Sequence, residues 1–230
     1  VLHAQELGRL LLGQLVDGDA RPDAEDLGDG LFVDLVEQVD TGRLDLDLLR
    51  LLLGEELLLA IAEAAEHIAG FCLLNDVAVA IRVLQRDGRA RRALVIDLDV
   101  HQGNGTAAIF EGDRDVFTFS MHGERNYPLQ KMRSTLDVGL ADGIGDEEYL
   151  DLLARHLGGV LEAFVPDVVF YLAGVDPAKG DRYGRLALSD AGLARRDRHV
   201  LESCRRRGLP LVITIAGGYA ASPGRTAELH

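Results

Sequence analysis

The sequence is poor in cysteine and has no long apolar run. Its two cysteines, Cys72 and Cys204, form neither a CxxC pair nor a disulfide framework, which is typical of a reducing compartment. No run of about 18 consecutive apolar residues occurs, so no segment is predicted to span a membrane. The first residues lack the basic, apolar and small segments of a signal peptide. We therefore expect a cytoplasmic protein.

Basic residues are scarce relative to acidic ones. The chain has 24 Lys and Arg against 38 Asp and Glu, a formal net charge of −14. Such a field repels phosphate backbones, so direct binding to nucleic acid is not expected. It attracts cationic ligands, such as lysine-rich peptides or polyamines. The alternative is that the charge serves only solubility.

The chain length and the apolar content predict one domain, residues 1–230. With 230 residues and 47% hydrophobic content, the chain can bury a single sizeable core. Its pattern changes near Gly70. Before that point the sequence has no strand pattern, and helices are predicted at Ala4–Val16, Gly30–Val39 and Leu46–His67. We therefore distinguish a divergent helical part, residues 1–69, from a core, residues 70–230.

The core alternates short apolar runs with helical patterns, which is typical of parallel βαβ units. The runs are rich in Val, Ile and Leu, as in strands that are covered on both faces. The pattern thus predicts a three-layer α/β/α fold with a mainly parallel central sheet. Strands are predicted at Ala93–Asp97, Val116–Ser120, Val168–Ala173 and Leu211–Ala216, and helices at Asp146–Phe164 and Ser189–Arg207 with Asp146 and Ser189 as N-caps. Arg195-Arg196 and Arg205–Arg207 are interpreted as solvated charges.

A cluster of ionisable residues directly follows the first of these strands. Asp97, Asp99 and His101 are spaced two apart, so in extended backbone they project to the same side. Three such groups would repel one another and lose hydration unless a cation offset them. The pattern indicates a metal site, although a single Asp after a strand is more often an N-cap or a turn residue.

Two further segments follow other predicted strands. They are Gly174-Val175-Asp176-Pro177 and Gly217-Gly218-Tyr219. The carboxyl ends of parallel strands meet at one edge of a sheet, where ligands bind. Two Asp and one His leave an open coordination position, as in a catalytic zinc site. Oxygen-rich ligation also admits Fe(II) or Mn(II).

Five motifs resemble the histone deacetylase family in order and spacing. They are GFCLLND at Gly70–Asp76, DLDVHQGNG at Asp97–Gly105, SMH at Ser120–His122, GVDP at Gly174–Pro177, and GGY at Gly217–Tyr219. The stretches Ser120–Pro128 and Gly180–Asp197 are similar to class IV members and their bacterial relatives. The resemblance covers roughly Gly70 to His230 and implies the arginase/deacetylase fold.

The resemblance implies a role for each matched residue. Asp99, His101 and Asp176 would bind the metal, and Tyr219 would donate a hydrogen bond to the acyl oxygen. Asp97 and Ser120 would contribute to a monovalent-cation site, for which K⁺ is the candidate. The residues implied in substrate binding are Gly70, Phe71, Tyr127, Gly217 and Gly218. The implied reaction is zinc-dependent hydrolysis of the amide of acetyl-lysine in a protein, or of an acetylated polyamine.

The chain departs from the family before Gly70. The family carries two adjacent histidines in a Gly-rich loop there, whereas Ala60–Ala69 reads AIAEAAEHIA and holds only His67. The predicted deacylase therefore lacks its paired catalytic histidines. Three explanations remain open: an engineered or truncated chain, a natural pseudoenzyme, or a divergent enzyme with another base.

Two other functions compete with the deacylase. A non-catalytic protein that binds metal and acyl-lysine would explain the missing histidine pair. An arginase-type ureohydrolase holds two manganese ions with additional His and Asp ligands, and this chain has too few of them. Gly217-Gly218-Tyr219 also favours the deacetylase side. The sequence indicates no oligomeric state.

Overall fold

Five strands and five helices make up the described part of the chain. The structure is a computed structural model, and it describes residues 75–230. In chain order the elements are α1 (Asp76–Arg86), β1 (Ala93–Asp97), α2 (Asn104–Ile109), β2 (Val116–Gly123), β3 (Leu136–Leu140), α3 (Asp146–Ala163), β4 (Val168–Leu172), α4 (Asp190–Arg206), β5 (Leu211–Thr214) and α5 (Pro223–Leu229).

The strands form one parallel sheet in the order β3-β2-β1-β4-β5. From β1 the chain moves outward to β2 and β3, then returns to place β4 on the other side of β1. The connection after β1 therefore runs toward one edge of the sheet, and the connection after β4 runs toward the other. In open α/β sheets this switch point is where ligands bind, at the carboxyl ends of the strands.

Side chains of the central strands alternate between two apolar layers. Leu94 and Ile96 of β1 pack in one cluster with α3 and α4, and Ala93 and Val95 pack in another with α1 and α2. The alternation follows from the two-residue period of a strand. Helices on both faces confirm the predicted three-layer α/β/α fold.

The predicted strands are all present, with shifted ends. β1 has the predicted bounds, β2 is three residues longer than predicted, and β4 and β5 are shorter. The prediction missed β3, α1, α2 and α5. β3 is an edge strand whose five residues are mostly exposed or half-buried, so its sequence LDVGL lacks the apolar run that marks the other strands.

The N-cap prediction was right for Ser189 and wrong for Asp146. The Ser189 side chain accepts a hydrogen bond from Gly192 N, whereas Gly145 is the N-cap of α3. Asp146 instead accepts hydrogen bonds from the backbone N–H (2.8 Å) and the hydroxyl (2.5 Å) of Ser189. The carboxylate therefore joins the start of α3 to the start of α4.

Several sequence predictions lie outside the described residues. These are the helical part, residues 1–69, and the channel residues Gly70 and Phe71. The single domain over residues 1–230 likewise stays a prediction. No helix in residues 75–230 combines the length and the apolar character that crossing a membrane requires.

The packing of α3 gives a first testable prediction. Leu153 is fully buried in the core, whereas Leu201 on α4 is 40% exposed. We expect Leu153→Ala to lower the free energy of unfolding by about 2–5 kcal/mol, because it leaves a cavity among close-packed side chains. Leu201→Ala is the matched control and should lower it by less than half as much. Urea unfolding followed by circular dichroism measures both, and equal losses would contradict the assigned core.

Candidate metal centre

Three loops meet at the carboxyl edge of the sheet. One follows β1 and carries Asp99 and His101, the second follows β4 and carries Asp176, and the third follows β5 and carries Tyr219. β1 and β4 are neighbours in the sheet, and the chain leaves them toward opposite edges. The first two loops therefore lie at the switch point of the sheet. The Gly217–Tyr219 loop lies beside them because β5 pairs with β4.

The structure brings together the three residues that were predicted to bind metal. One ligand atom each from Asp99, His101 and Asp176 lies within 4.8 Å of the others. His101 Nδ1 is 3.1 Å from Asp99 Oδ1 and 3.1 Å from Asp176 Oδ2. Two carboxylate oxygens and one imidazole nitrogen suit Zn²⁺ or another divalent transition metal. The donor set therefore fits a single divalent cation.

Backbone N–H groups orient the two carboxylates. Val100 N donates to Asp176 Oδ1 (2.9 Å), His101 N donates to Asp99 Oδ1 (2.8 Å), and Gly217 N donates to Asp99 Oδ2 (2.7 Å). Such bonds hold a ligand in position before a cation arrives, as outer-shell partners do in metal sites. The centre is thus pre-organised by loops from three strands.

Opposing charges at the centre shift its titrating groups. Burial acts to lower the pKa of His101, but the hydrogen bonds and charges of Asp176 and Asp99 outweigh it and raise the pKa to about 10. Burial raises the pKa of Asp176 to about 7, against the opposing contact with His101. Both shifts favour a bound proton at the centre, because Asp99, His101 and Asp176 are close together and the carboxylates are withdrawn from water.

Glycine is required where the third loop approaches the carboxylates. A Cβ on Gly217 would lie 2.2 Å from Asp176 Oδ2 and 2.5 Å from Asp99 Oδ2. A Cβ on Gly218 would lie 2.5 Å from Val175 Cγ2. Any larger residue would displace the ligands or the loop. Steric exclusion therefore explains why both of these positions in the GGY motif are glycine.

Tyr219 is held beside the centre by a loop that the sequence analysis did not identify. Tyr219 N donates to Asp181 Oδ2 (2.7 Å), and Asp181 Oδ1 accepts from Tyr183 N and Gly184 N. The Tyr219 ring meets that of Tyr183 edge-to-face at 4.8 Å, and its centroid is 6.5 Å from that of His101. Asp181 therefore fixes the backbone of Tyr219.

The two residues predicted for a monovalent cation are neighbours on adjacent strands. Asp97 and Ser120 are paired in the register of β1 and β2, and both are buried. Asp97 Oδ1 accepts a hydrogen bond from Asp99 N (3.1 Å), and burial, with the charge of Asp99, raises the pKa of Asp97 well above its ordinary value. Ser120 Oγ lies 2.9 Å from His122 Nδ1.

Tyr127 lies in an exposed loop that is hydrogen-bonded to the loop beside Tyr219. Its side chain is 44% exposed, and the next residue, Pro128, follows a cis peptide bond. The neighbouring Asn126 is buried, and its Nδ2 donates to the carbonyl of Tyr183 (2.6 Å). The Tyr127 loop is therefore tied to the loop that packs against Tyr219.

The interpretation of Arg196 from the sequence was wrong. Arg196 was expected to be a solvated charge, but its side chain is fully buried, whereas its neighbour Arg195 is exposed and paired with Glu147. The signal was in the helical spacing, since Arg196 lies on the buried stripe of α4 between Leu193 and Val200. Asp181 lies in the stretch Gly180–Asp197 that resembles class IV members, but no role was predicted for it, and its local pattern, an Asp three residues before a Gly, is typical of a turn.

A family model described as the histone deacetylase domain matches residues 62–228. The chain belongs to the histone deacetylase domain family. This confirms the resemblance that the five motifs indicated. The metal-centre residues and Tyr219 all lie inside the matched range.

Curated relatives of this histone deacetylase domain come from all three domains of life. An uncharacterized protein of Picosynechococcus sp. is 55% identical over 152 residues, which are 66% of this chain and 51% of the relative. Histone deacetylase 2 of Arabidopsis thaliana is 35% identical, over 70% of this chain and 42% of its own length. A probable deacetylase of Methanothermobacter thermautotrophicus is 33% identical, over 65% and 48%. The chain thus spans about half the length of the curated relatives it matches.

Solved structures of the family support the same fold. The HD domain of HDA15 matches with a TM-score of 0.59 at 28% identity, over 76% of this chain and 60% of the other. An HDAC homologue complexed with SAHA matches with a TM-score of 0.57 at 29% identity, over 65% and 42%. Both agree with the arginase/deacetylase-like arrangement of parallel strands between helices.

Proposed function

We propose that this chain is a metal-dependent deacylase domain that hydrolyses the amide of an acylated amine. The observation that carries the proposal is the convergence of Asp99, His101 and Asp176 within 4.8 Å, with Tyr219 beside them, in a histone deacetylase domain. The motifs at Ser120–Pro128 and Gly180–Asp197 favour a class IV relationship. A cytoplasmic location remains part of this proposal.

Zn²⁺ is the proposed metal, with Fe²⁺ as the alternative. Asp99, His101 and Asp176 would hold it and leave a coordination position open, as in catalytic zinc sites. When bound, the cation supplies Lewis acidity toward an acyl carbonyl and toward water. Asp97 and Ser120 are the proposed ligands of a nearby monovalent cation, for which K⁺ is the candidate, because both are buried and adjacent in register.

Tyr219 is the proposed catalytic residue. Its hydroxyl would donate to the acyl oxygen as negative charge develops there, and such a donor helps most when it is already in place. The three hydrogen bonds that Asp181 accepts from the two loops support that pre-organisation. Gly217 and Gly218 would leave the approach to the acyl group free of side chains.

An acylated lysine peptide is the proposed substrate, with an acetylated polyamine as the alternative. The net charge of −14 favours a cationic partner, and direct binding to nucleic acid is not expected. Gly70 and Phe71 are proposed to line the channel for the acylated side chain, with Tyr127 on the facing wall. The solved HDAC homologue in complex with SAHA, a hydroxamic acid, suggests a probe for this site.

The experiment that tests the proposed site is Tyr219→Phe, measured by the affinities for SAHA and for Zn²⁺. We expect the SAHA dissociation constant to rise about 10-fold, because one hydrogen bond to the bound carbonyl group is lost. The Zn²⁺ affinity should not change, since no phenol oxygen belongs to the ligand set.

Tyr183→Phe is the matched control, because Tyr183 packs against Tyr219 and is largely exposed. The control should leave both affinities unchanged. Isothermal titration calorimetry on zinc-loaded protein measures the first affinity. An unaltered SAHA affinity in Tyr219→Phe would contradict the assigned role.

A further inference from the structure

Arg196 is a fully buried cation that the proposed reaction does not use. It projects from α4, and its side chain has 0% exposure. Arginine is almost never fully buried unless it is paired, because the loss of hydration is large, and Arg196 is paired with Asp197. What the guanidinium contacts therefore indicates why it is there.

The guanidinium contacts the two loops that carry the metal-binding residues. Its Nη1 donates to the carbonyl oxygens of Gly174 (2.6 Å) and Leu98 (3.3 Å). Leu98 directly precedes Asp99, and Gly174 lies two residues before Asp176. The two N–H bonds of one nitrogen thus reach both loops at once.

Asp197 holds the guanidinium in place from the other side. Arg196 Nε donates to Asp197 Oδ1 (2.8 Å), and the Tyr171 hydroxyl of β4 donates to the same oxygen (2.5 Å). The arginine is therefore held between its own helix, a central strand and the two loops. A lysine would lack this planar fork of donors.

Other contacts within the described residues also join the two loops, and one of them is between the ligands themselves: His101 Nδ1 lies 3.1 Å from Asp176 Oδ2. Leu98 N also donates to the carbonyl of Leu172, the last residue of β4 (3.2 Å), and Val100 N donates to Asp176 Oδ1 (2.9 Å). The second bond involves a ligand itself. Arg196 joins the two loops through backbone carbonyls, so its contacts use neither ligand side chain.

We propose that Arg196 is a positioning residue for the metal centre: it joins the Leu98 and Gly174 carbonyls so that Asp99 and Asp176 converge at the separation that a divalent cation requires. The inference rests on the proposed metal site and extends it by one residue. Arg196 touches neither metal nor substrate in this role.

The test is the affinity of the full chain for Zn²⁺ alone, measured by competition with a chromophoric chelator. We expect Arg196→Met to weaken binding about 10- to 100-fold, the range found when outer-shell partners of metal ligands are removed. Arg196→Lys should weaken it less, because one ammonium group keeps a donor but loses the fork. Arg195→Met removes the adjacent, exposed arginine and should bind Zn²⁺ like the unaltered chain.

A second measurement distinguishes a role of Arg196 in positioning the metal-binding residues from a role in fold stability alone. The visible absorption of bound Co²⁺ reports the geometry of its ligands, so we expect the band to shift or weaken in Arg196→Met and to be unchanged in Arg195→Met. A residue that only stabilises the fold would lower the melting temperature and leave the affinity and the spectrum of the folded protein unaltered. That result would overturn the proposal.

Each remaining outcome also supports or overturns the proposed role of Arg196. If Arg196→Met does not fold, Arg196→Lys is decisive: a loss of about 3- to 10-fold supports the proposal, and unaltered affinity overturns it. If the unaltered chain binds no divalent metal after reconstitution, the metal site of the proposed function fails, and this inference fails with it. If the unaltered chain and Arg196→Met bind equally, only the role of Arg196 is lost.

Discussion

Asp176→Asn is expected to weaken Zn²⁺ binding by at least about 100-fold, a larger effect than removal of an outer-shell partner. The change replaces an anionic ligand by a neutral amide at a fully buried position, between His101 Nδ1 and Val100 N. Elemental analysis should find one divalent metal per unaltered chain and little in the variant. A chelator titration then gives the ratio of affinities.

Asp142→Asn is the control for charge in this experiment. Asp142 follows β3 at the same edge of the sheet, but it pairs with Arg125 and Arg185 and does not belong to the metal cluster. The change in net charge is identical, so its Zn²⁺ affinity should stay within about 2-fold of the unaltered chain, as expected for a screened surface group. Equal losses in the two variants, or no stoichiometric metal in the unaltered chain, would refute the assigned ligands.

The second large effect that we expect is that the chain binds a hydroxamate inhibitor but hydrolyses its substrate slowly. SAHA should bind the zinc-loaded chain tightly, while hydrolysis of an acetyl-lysine peptide should be about 10²–10⁴-fold slower than in a relative with the adjacent histidines. Hydrolysis needs a proton removed from water and another delivered to the leaving amine. Residues 1–69 contain only His3 and His67, and these are not adjacent.

The described residues contain no pair of adjacent histidines. Among residues 75–230, His101 is the histidine that belongs to the ligand cluster. His122 is buried, with its Nδ1 beside Ser120 Oγ. Added imidazole should therefore raise the slow turnover in proportion to its concentration, because it provides the missing base in solution.

His67→Ala is the control for turnover. Fast hydrolysis by the unaltered chain that survives His67→Ala would show that an unrecognised base exists, and would contradict the interpretation of residues 60–69. Tight SAHA binding without detectable turnover, even with imidazole, would favour the non-catalytic acyl-lysine-binding alternative. Absence of SAHA binding to zinc-loaded protein would argue against both.

Four of the five strands were predictable because each begins with a short run rich in apolar residues, whether it lies in the centre of the sheet or, as β5 does, at an edge. Runs such as ALVID at β1 and VVFYL at β4 are continuously apolar, and they were located to within a few residues. β3 escaped because an edge strand needs only one buried face and can be half polar. The convergence of Asp99, His101 and Asp176 was predictable for a related reason: the three residues follow strand ends in short motifs.

The sequence alone determined the layered fold, the family, and the set of residues that meet at the carboxyl edge of the sheet. These depend on local periodicity and on short motifs, which a sequence displays directly. Only the tertiary structure decided that Asp146 binds Ser189, the N-cap of α4, that Asp181 holds Tyr219, and that Arg196 is buried and contacts both loops of the centre. Each of these three contacts depends on a hydrogen-bond partner that is distant in the sequence. That partner determines whether a charged side chain is solvated or buried.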